Sequence, residues 1–352
     1  MVTGQIVQRG DNVYLYQPEY PYPPVYAWIL AGTLNITDAI GLPARLAVKL
    51  PSVLADSLIA VVILSTALAR FPHIAIRLGW LYALNPITVM IASHHGQFDS
   101  LAYLPTTLAI WAFEYQYGWW ASAAWLAVGG MLKITPAFIA PAWLPEFRRY
   151  RSAIAFAAFV LIPVAAILLI GWLSAPAPFM ANVLGYERAT TGGWGYNFIL
   201  LLFKRISQLL SLNFAVSAID QIFALHQIVL VVGIFLTAFW VRNRSLLERA
   251  FLIQLSVQLF AGRWVHQYTA WLVPLIVLTN QRGMLPWGVL TTVWMIIAYI
   301  AFVSTGIVQD NLFRTATTIG FLSWVVLLLW FVANFRGQRN TRLDWLIRPL
   351  IN

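Results

Sequence analysis

The chain of 352 residues is 61% hydrophobic and 10% charged, with a mean hydropathy of +0.75. No water-soluble domain hides that much apolar surface, so the composition excludes a soluble enzyme or binding module and implies an all-α polytopic integral membrane protein. The net charge of +10 does not mark a nucleic-acid binder, because the basic residues sit in short groups at segment ends, as orientation signals do. There is no Cys, which excludes disulfides and thiolate metal sites.

Residues 1–22 read as a polar, Tyr-rich loop without the apolar core of a cleavable signal peptide. Gly10-Asp11-Asn12 suits a turn, and Tyr14, Tyr16, Tyr20 and Tyr22 suit a membrane interface. Pro23-Pro24 opens an apolar run to Leu34. Proline favours a first helical turn, and this run is too short to cross a bilayer, so an interfacial or re-entrant helix is expected. Spanning candidates follow at 52–69, 78–93, 100–116, 119–132, 134–146, 152–173, 222–241, 247–262, 267–281, 285–304 and 315–334, a bundle of about eleven segments. Three regions result: 1–50, a partial first extracytoplasmic loop; 51–335, the bundle with an outer loop at 174–221; and 336–352, a basic cytoplasmic tail.

Orientation follows from the cations. If 52–69 runs inward, Arg70, Arg77, Arg148, Arg149, Arg151, Arg242, Arg244, Arg249, Arg282 and the tail arginines 336, 339, 342 and 348 all face the cytoplasm. The same parity puts His94–Ser100, Lys133 and Arg263–Gln267 outside. It requires 119–146 to be a hairpin of two short helices turning at Lys133-Ile134-Thr135-Pro136, rather than one kinked helix with Lys133 at mid-bilayer. Within the outer loop, the apolar run from Phe198 to Leu212, with Lys204-Arg205 inserted, is expected to lie along the interface.

The densest ionisable cluster is His94-His95-Gly96-Gln97-Phe98-Asp99-Ser100. Ionisable groups between apolar segments are costly and usually functional. A carboxylate such as Asp99 or Asp11, helped by His95, can take a proton from a hydroxyl acceptor. Cations near a departing phosphate can neutralise its charge. His94, Gln97, Lys133, Arg263, His266, Gln267 and Tyr268 are the candidates for holding that phosphate and the rest of the substrate. The Asp99 loop, the Lys133 turn and the Arg263–Tyr268 corner are expected to converge in one pocket at the non-cytoplasmic lipid boundary. Plainer readings exist: Asp99 as a helix cap, Lys133 as a snorkelling turn residue, Asp11 as a turn former. His94, His95 and Asp99 offer metal-ligand types without a diagnostic spacing, so no metal site is predicted and a divalent ion is the less favoured reading.

Several motifs resemble one family. Gly10-Asp11-Asn12-Val13-Tyr14, Tyr20-Pro21-Tyr22-Pro23-Pro24, and Asn85-Pro86 leading to His95-Gly96-Gln97-Phe98-Asp99-Ser100 look like the GT-C glycosyltransferases. Lys133-Ile134-Thr135-Pro136 with Pro141, and His266-Gln267-Tyr268 with Trp271 and Pro274, look like later motifs of that family. The likeness covers residues 10–280 and is nearest to the bacterial polyprenol-phosphate-mannose-dependent type. Enzymes of lipid-linked oligosaccharide and GPI assembly are more distant kin. It implies inverting transfer of a hexose, mannose favoured, from a polyprenyl-phosphate sugar to a lipid, glycan or protein acceptor. No further cofactor is implied. The reaction would occur at the outer face of a bacterial or archaeal plasma membrane, through an oxocarbenium-like transition state. Family members open with a transmembrane helix and then an acidic base, so this chain is expected to lack both. The alternatives are a transporter or lipid flippase, or a catalytically incomplete relative acting as a partner. No internal repeat is visible and the charges collect at outer segment ends, which disfavours the transporter; Asp56 and Glu114 are the exceptions.

Overall fold

The computed structural model describes residues 2–17, 19–185, 195–262, 264–281 and 283–335. It is 83% helix, with no strand among the described residues. Five helical stretches are long and apolar enough to cross a membrane: Ala44–Arg70, Pro72–His95, Tyr150–Ser174, Met284–Ala301 and Val308–Asn334. A sixth results if Asn213–Phe223 and His226–Trp240, bent by 63°, form one broken span. The eleven expected segments all fall on helical turns, but the others are too short to pass that test. The fold is therefore that of a helical membrane protein. The chain forms two compact units, Met1–Ala189 and Thr190–Asn352.

The first unit corrects the reading of residues 1–22 as a loop. Helices α1 (Val2–Gln8) and α2 (Val13–Tyr16) occupy half of it, and α1 packs on α3 (Pro24–Ala39). The approach is close: a Cβ on Gly4 would lie 2.8 Å from Leu34 Cδ1 and 3.0 Å from Leu30 Cβ. A seven-residue helix is too short to hold by itself, so its stability comes from this packing, which local sequence does not advertise. The α3 helix starts at its prolines as expected but runs past Leu34 to Ala39. Its polar end is tied down where Gln8 Nε2 donates to Asn35 Oδ1 and Asp38 Oδ2, each at 2.9 Å.

After α4 (Ala44–Ala47), α5 (Leu50–Arg70) is a 21-residue helix with Pro51 in its first turn. Leu54, Leu58 and Val61 stand exposed on it, as lipid-facing residues do. The next span is broken. It comprises α6 (Ala75–Ala83), α7 (Pro86–Val89) and a π-helical turn, Met90–His95. Pro86 forces the break, and Asn85 Oδ1 caps the new helix by accepting Ile87 N–H at 3.0 Å. Gly96, at φ +74°, ends the π turn in the left-handed conformation that glycine tolerates.

Helix α8 (Asp99–Glu114) runs parallel to α5. Ser100 Oγ donates to Asp56 Oδ1 at 3.1 Å near the start of both, and Arg70 meets Glu114 at the end of both. The 119–146 segment turns back on itself at Lys133. Its first leg is α9 (Trp119–Leu132), and its second is a 3₁₀ helix, Thr135–Glu146, rather than the expected α-helix. Trp119, at the start of one leg, meets Phe147, just past the end of the other, with ring centroids 6.3 Å apart. Pro141 and Pro145 inside the second leg disfavour the α form. Helix α10 (Tyr150–Ser174) returns along the hairpin, followed by α11 (Pro176–Phe179).

In the second unit, α12 (Tyr196–Leu209) and α13 (Asn213–Ala224) are clamped by Lys204 and Asp220 at 2.5 Å. Leu202, Phe203, Ile206 and Leu209 form an exposed apolar row on α12, as an interfacial helix requires. Next come α14 (His226–Trp240) and α15 (Leu246–Phe260), the latter opened by a Ser245–Glu248 capping box. A 3₁₀ turn, His266–Trp271, leads into α16 (Val273–Leu278), α17 (Met284–Val303) and α18 (Gly306–Phe335). Inside the last pair, the Thr291 and Ser323 hydroxyls meet at 2.8 Å.

Candidate functional site

Asp99 is the first residue of α8 and Lys133 is the residue at which the hairpin turns. The two meet: Lys133 Nζ donates to Asp99 Oδ1 at 2.6 Å. Both side chains are buried, at 8% and 0% exposure. Aromatic rings roof the pair. The ammonium lies 5.3 Å from the Tyr22 ring centroid and 5.4 Å from that of Phe98, within cation–π range. Tyr26 stacks on Phe98 at 3.7 Å, and Tyr22 meets Phe98 edge-on at 4.6 Å. The roof is anchored by an apolar cluster of Val13, Tyr14, Tyr20, Tyr26, Phe98 and Phe179, and Tyr14 donates to the Tyr22 carbonyl at 2.8 Å. Burial, then the Asp99 charge, push the Tyr26 phenol above its ordinary range, so it stays protonated.

His94 and His95 close the π turn beside Asp99 and are exposed. Gln97 Nε2 lies 3.4 Å from His95 Nε2. These residues share one end of the first unit with Asp99. Asp11 pairs instead with Arg9 at 3.5 Å. Its neighbour Asn12 holds the Ser174 carbonyl at 2.9 Å, which ties the N-terminal segment to the end of α10.

The second unit holds the later motif. His266, Gln267 and Tyr268 are buried. The His266 ring stands edge-on to Trp294 and Tyr299, at 6.1 and 5.3 Å, and Tyr268 stacks on Trp271 at 4.1 Å. Gln258 fixes this corner: its Oε1 accepts from Trp264 Nε1 at 2.6 Å, and its Nε2 donates to the Tyr268 carbonyl at 2.8 Å. Arg263, expected to belong here, lies outside the described residues.

Three features of the first unit escaped the sequence reading. Lys49 Nζ donates to the Ser93 and His94 carbonyls, each at 2.9 Å, closing the end of the π turn. A signal for it existed, since the parity that put His94 outside also puts the residue preceding α5 there. Asp56 Oδ1 accepts from Tyr82 Oη at 2.7 Å as well as from Ser100, holding α5, α6 and α8 together next to Asp99. The Tyr22–Phe98 roof joins segments far apart in sequence and carried no local signal.

Chemically, this end of the unit offers a carboxylate held in place by an ammonium, two exposed imidazoles, and the half-buried Lys49 ammonium at the end of the π turn. Among the described residues, no three His, Asp or Glu side chains are grouped so as to hold a metal ion. Compared with protein-family models and with curated proteins, the chain matches none.

Proposed function

We propose that the chain is a membrane glycosyltransferase of the GT-C kind, moving a hexose, mannose favoured, from a polyprenyl-phosphate sugar to a lipid, glycan or protein acceptor. The observation that carries this reading is the buried Asp99–Lys133 pair beside His94 and His95. A desolvated ion pair is a poor stabiliser for its cost, so its presence calls for a use. In the proposed reaction the acceptor oxygen attacks the sugar C1 from the face opposite the phosphate. The C1–O bond to phosphate breaks, and its electron pair leaves with the lipid phosphate. The acceptor proton passes to a carboxylate, with Asp99 in that role and His95 beside it. Lys133 holds the Asp99 carboxylate in position. Asp11, paired with Arg9, is the weaker candidate for a base. The site would face the outside of a bacterial or archaeal plasma membrane, by the arginine distribution.

Membranes carrying the full chain, incubated with a panel of labelled polyprenyl-phosphate sugars, test this. The expected result is a labelled product from at least one donor, reduced about tenfold or more by Asp99→Asn. The absence of product from every donor would remove the reading.

A transporter is the second reading. Asp56, inside the Ala44–Arg70 span and bonded to Tyr82 and Ser100, is the observation in its favour, since ionisable groups within spans mark transport pathways. Solute movement in liposomes that Asp56→Asn abolishes, with no glycosyl product, would establish it instead.

A further inference from the structure

The sequence suggests Lys133 as the group that meets a phosphate, but its geometry makes it ill suited to that task. Its ammonium already rests on Asp99 at 2.6 Å, under two aromatic rings, with 8% of the side chain exposed. A phosphate entering there would have to shed its water and approach a carboxylate of like charge.

We propose that the phosphate anion of a lipid-linked substrate binds at a rim formed by Lys49, His94, His95 and Gln97, with Lys49 as its principal cation. It rests on the glycosyltransferase reading only for the nature of the lipid tail. Lys49 immediately precedes α5 and reaches across to the π turn, where Ser93 and His94 carbonyls take two of its three N–H bonds. Those bonds fix the ammonium at the mouth of the cluster, and the turn passes close along its stem: a Cβ on Gly96 would lie 3.1 Å from Lys49 Cγ. The His94 and His95 rings are exposed, and Gln97 is half-buried with its amide beside His95. The neighbouring acids do not cancel this charge. Asp99 is balanced by Lys133, and Asp56 is turned onto Tyr82 and Ser100. The rim also lies near the start of one candidate span, Ala44–Arg70, and at the end of another, Pro72–His95. A lipid phosphate lies at that level of a bilayer. An ammonium and N–H donors gathered at one turn suit a phosphate better than a neutral headgroup.

The rival account is that Lys49 merely caps the negative end of a helix. Titration calorimetry on the purified full chain in detergent separates the two, with farnesyl phosphate, farnesol and inorganic phosphate as probes. Farnesyl phosphate is expected to bind, and farnesol to bind at least about tenfold more weakly. Lys49→Gln should weaken farnesyl phosphate binding by about tenfold or more, and Lys49→Arg should keep most of it. Circular dichroism checks that both variants are folded. If inorganic phosphate competes as well as farnesyl phosphate does, the anion site stands with free phosphate as its ligand. The proposal is overturned if wild type does not bind farnesyl phosphate, or if Lys49→Gln lowers the melting temperature while affinity stays unchanged. Binding without sugar transfer from any donor would keep the anion site and discard the glycosyltransferase reading.

Discussion

Helix α8 carries an ion pair at each end, and the two have the same length. At its first residue, Asp99 meets Lys133 at 2.6 Å; at its last, Glu114 meets Arg70 at 2.6 Å. They lie about 22 Å apart along the helix axis. Their surroundings differ: the first pair is 8% and 0% exposed for the two side chains, the second 30% and 19%. Distance therefore says little about what each pair does. A partly hydrated pair ties two helices at low cost. A dry pair costs several kcal/mol per ion in desolvation, so it stabilises the fold less than its short distance suggests.

The sharpest way to break the comparison is Lys133→Ala. It strands the Asp99 charge in a dry site and should lower stability by about 3–5 kcal/mol, read as thermal unfolding of the detergent-solubilised chain. A melting temperature unchanged from wild type would mean that the site is wetter than its geometry indicates. Replacing both partners, Asp99→Asn with Lys133→Met, should recover most of that loss while abolishing the proposed transfer. Recovered activity would remove both residues from the reaction. A smaller effect should follow from Gly129→Ala, whose Cβ would meet the Ala102 carbonyl oxygen at 3.0 Å and Pro136 Cβ at 2.9 Å. That overpacking should cost about 1–3 kcal/mol and lower transfer by displacing the Lys133 turn, without touching Arg70 or Glu114. Least of all, Arg70→Ala should cost about 1 kcal/mol or less and leave transfer unchanged. A large activity loss there would place function at both ends of α8.

The helical class was legible in the sequence because long apolar runs leave few choices, although five stretches, not eleven, are long and apolar enough to cross a membrane. The hairpin at Lys133 could be read from charge parity alone, and the Trp119–Phe147 contact follows from it. What stayed hidden depended on contacts between distant segments. Helix α1 exists because Gly4 lets it lie against α3. Lys49 was not singled out in the sequence, and only the fold brings its ammonium to the His94 carbonyl. Lys133 and Asp99 were both singled out from sequence, yet nothing local said that they would neutralise each other.

The winding of the second hairpin leg sets how far it reaches. Thr135–Glu146 has 12 residues against 14 in α9. At about 2.0 Å per residue, a 3₁₀ helix of that length reaches about 24 Å, while α9 reaches about 21 Å at 1.5 Å per residue. Rewound as an α-helix, the leg would shrink by about 6 Å. Its prolines thus set the reach of the leg: a stretched 12-residue segment spans about as far as the 14-residue helix beside it.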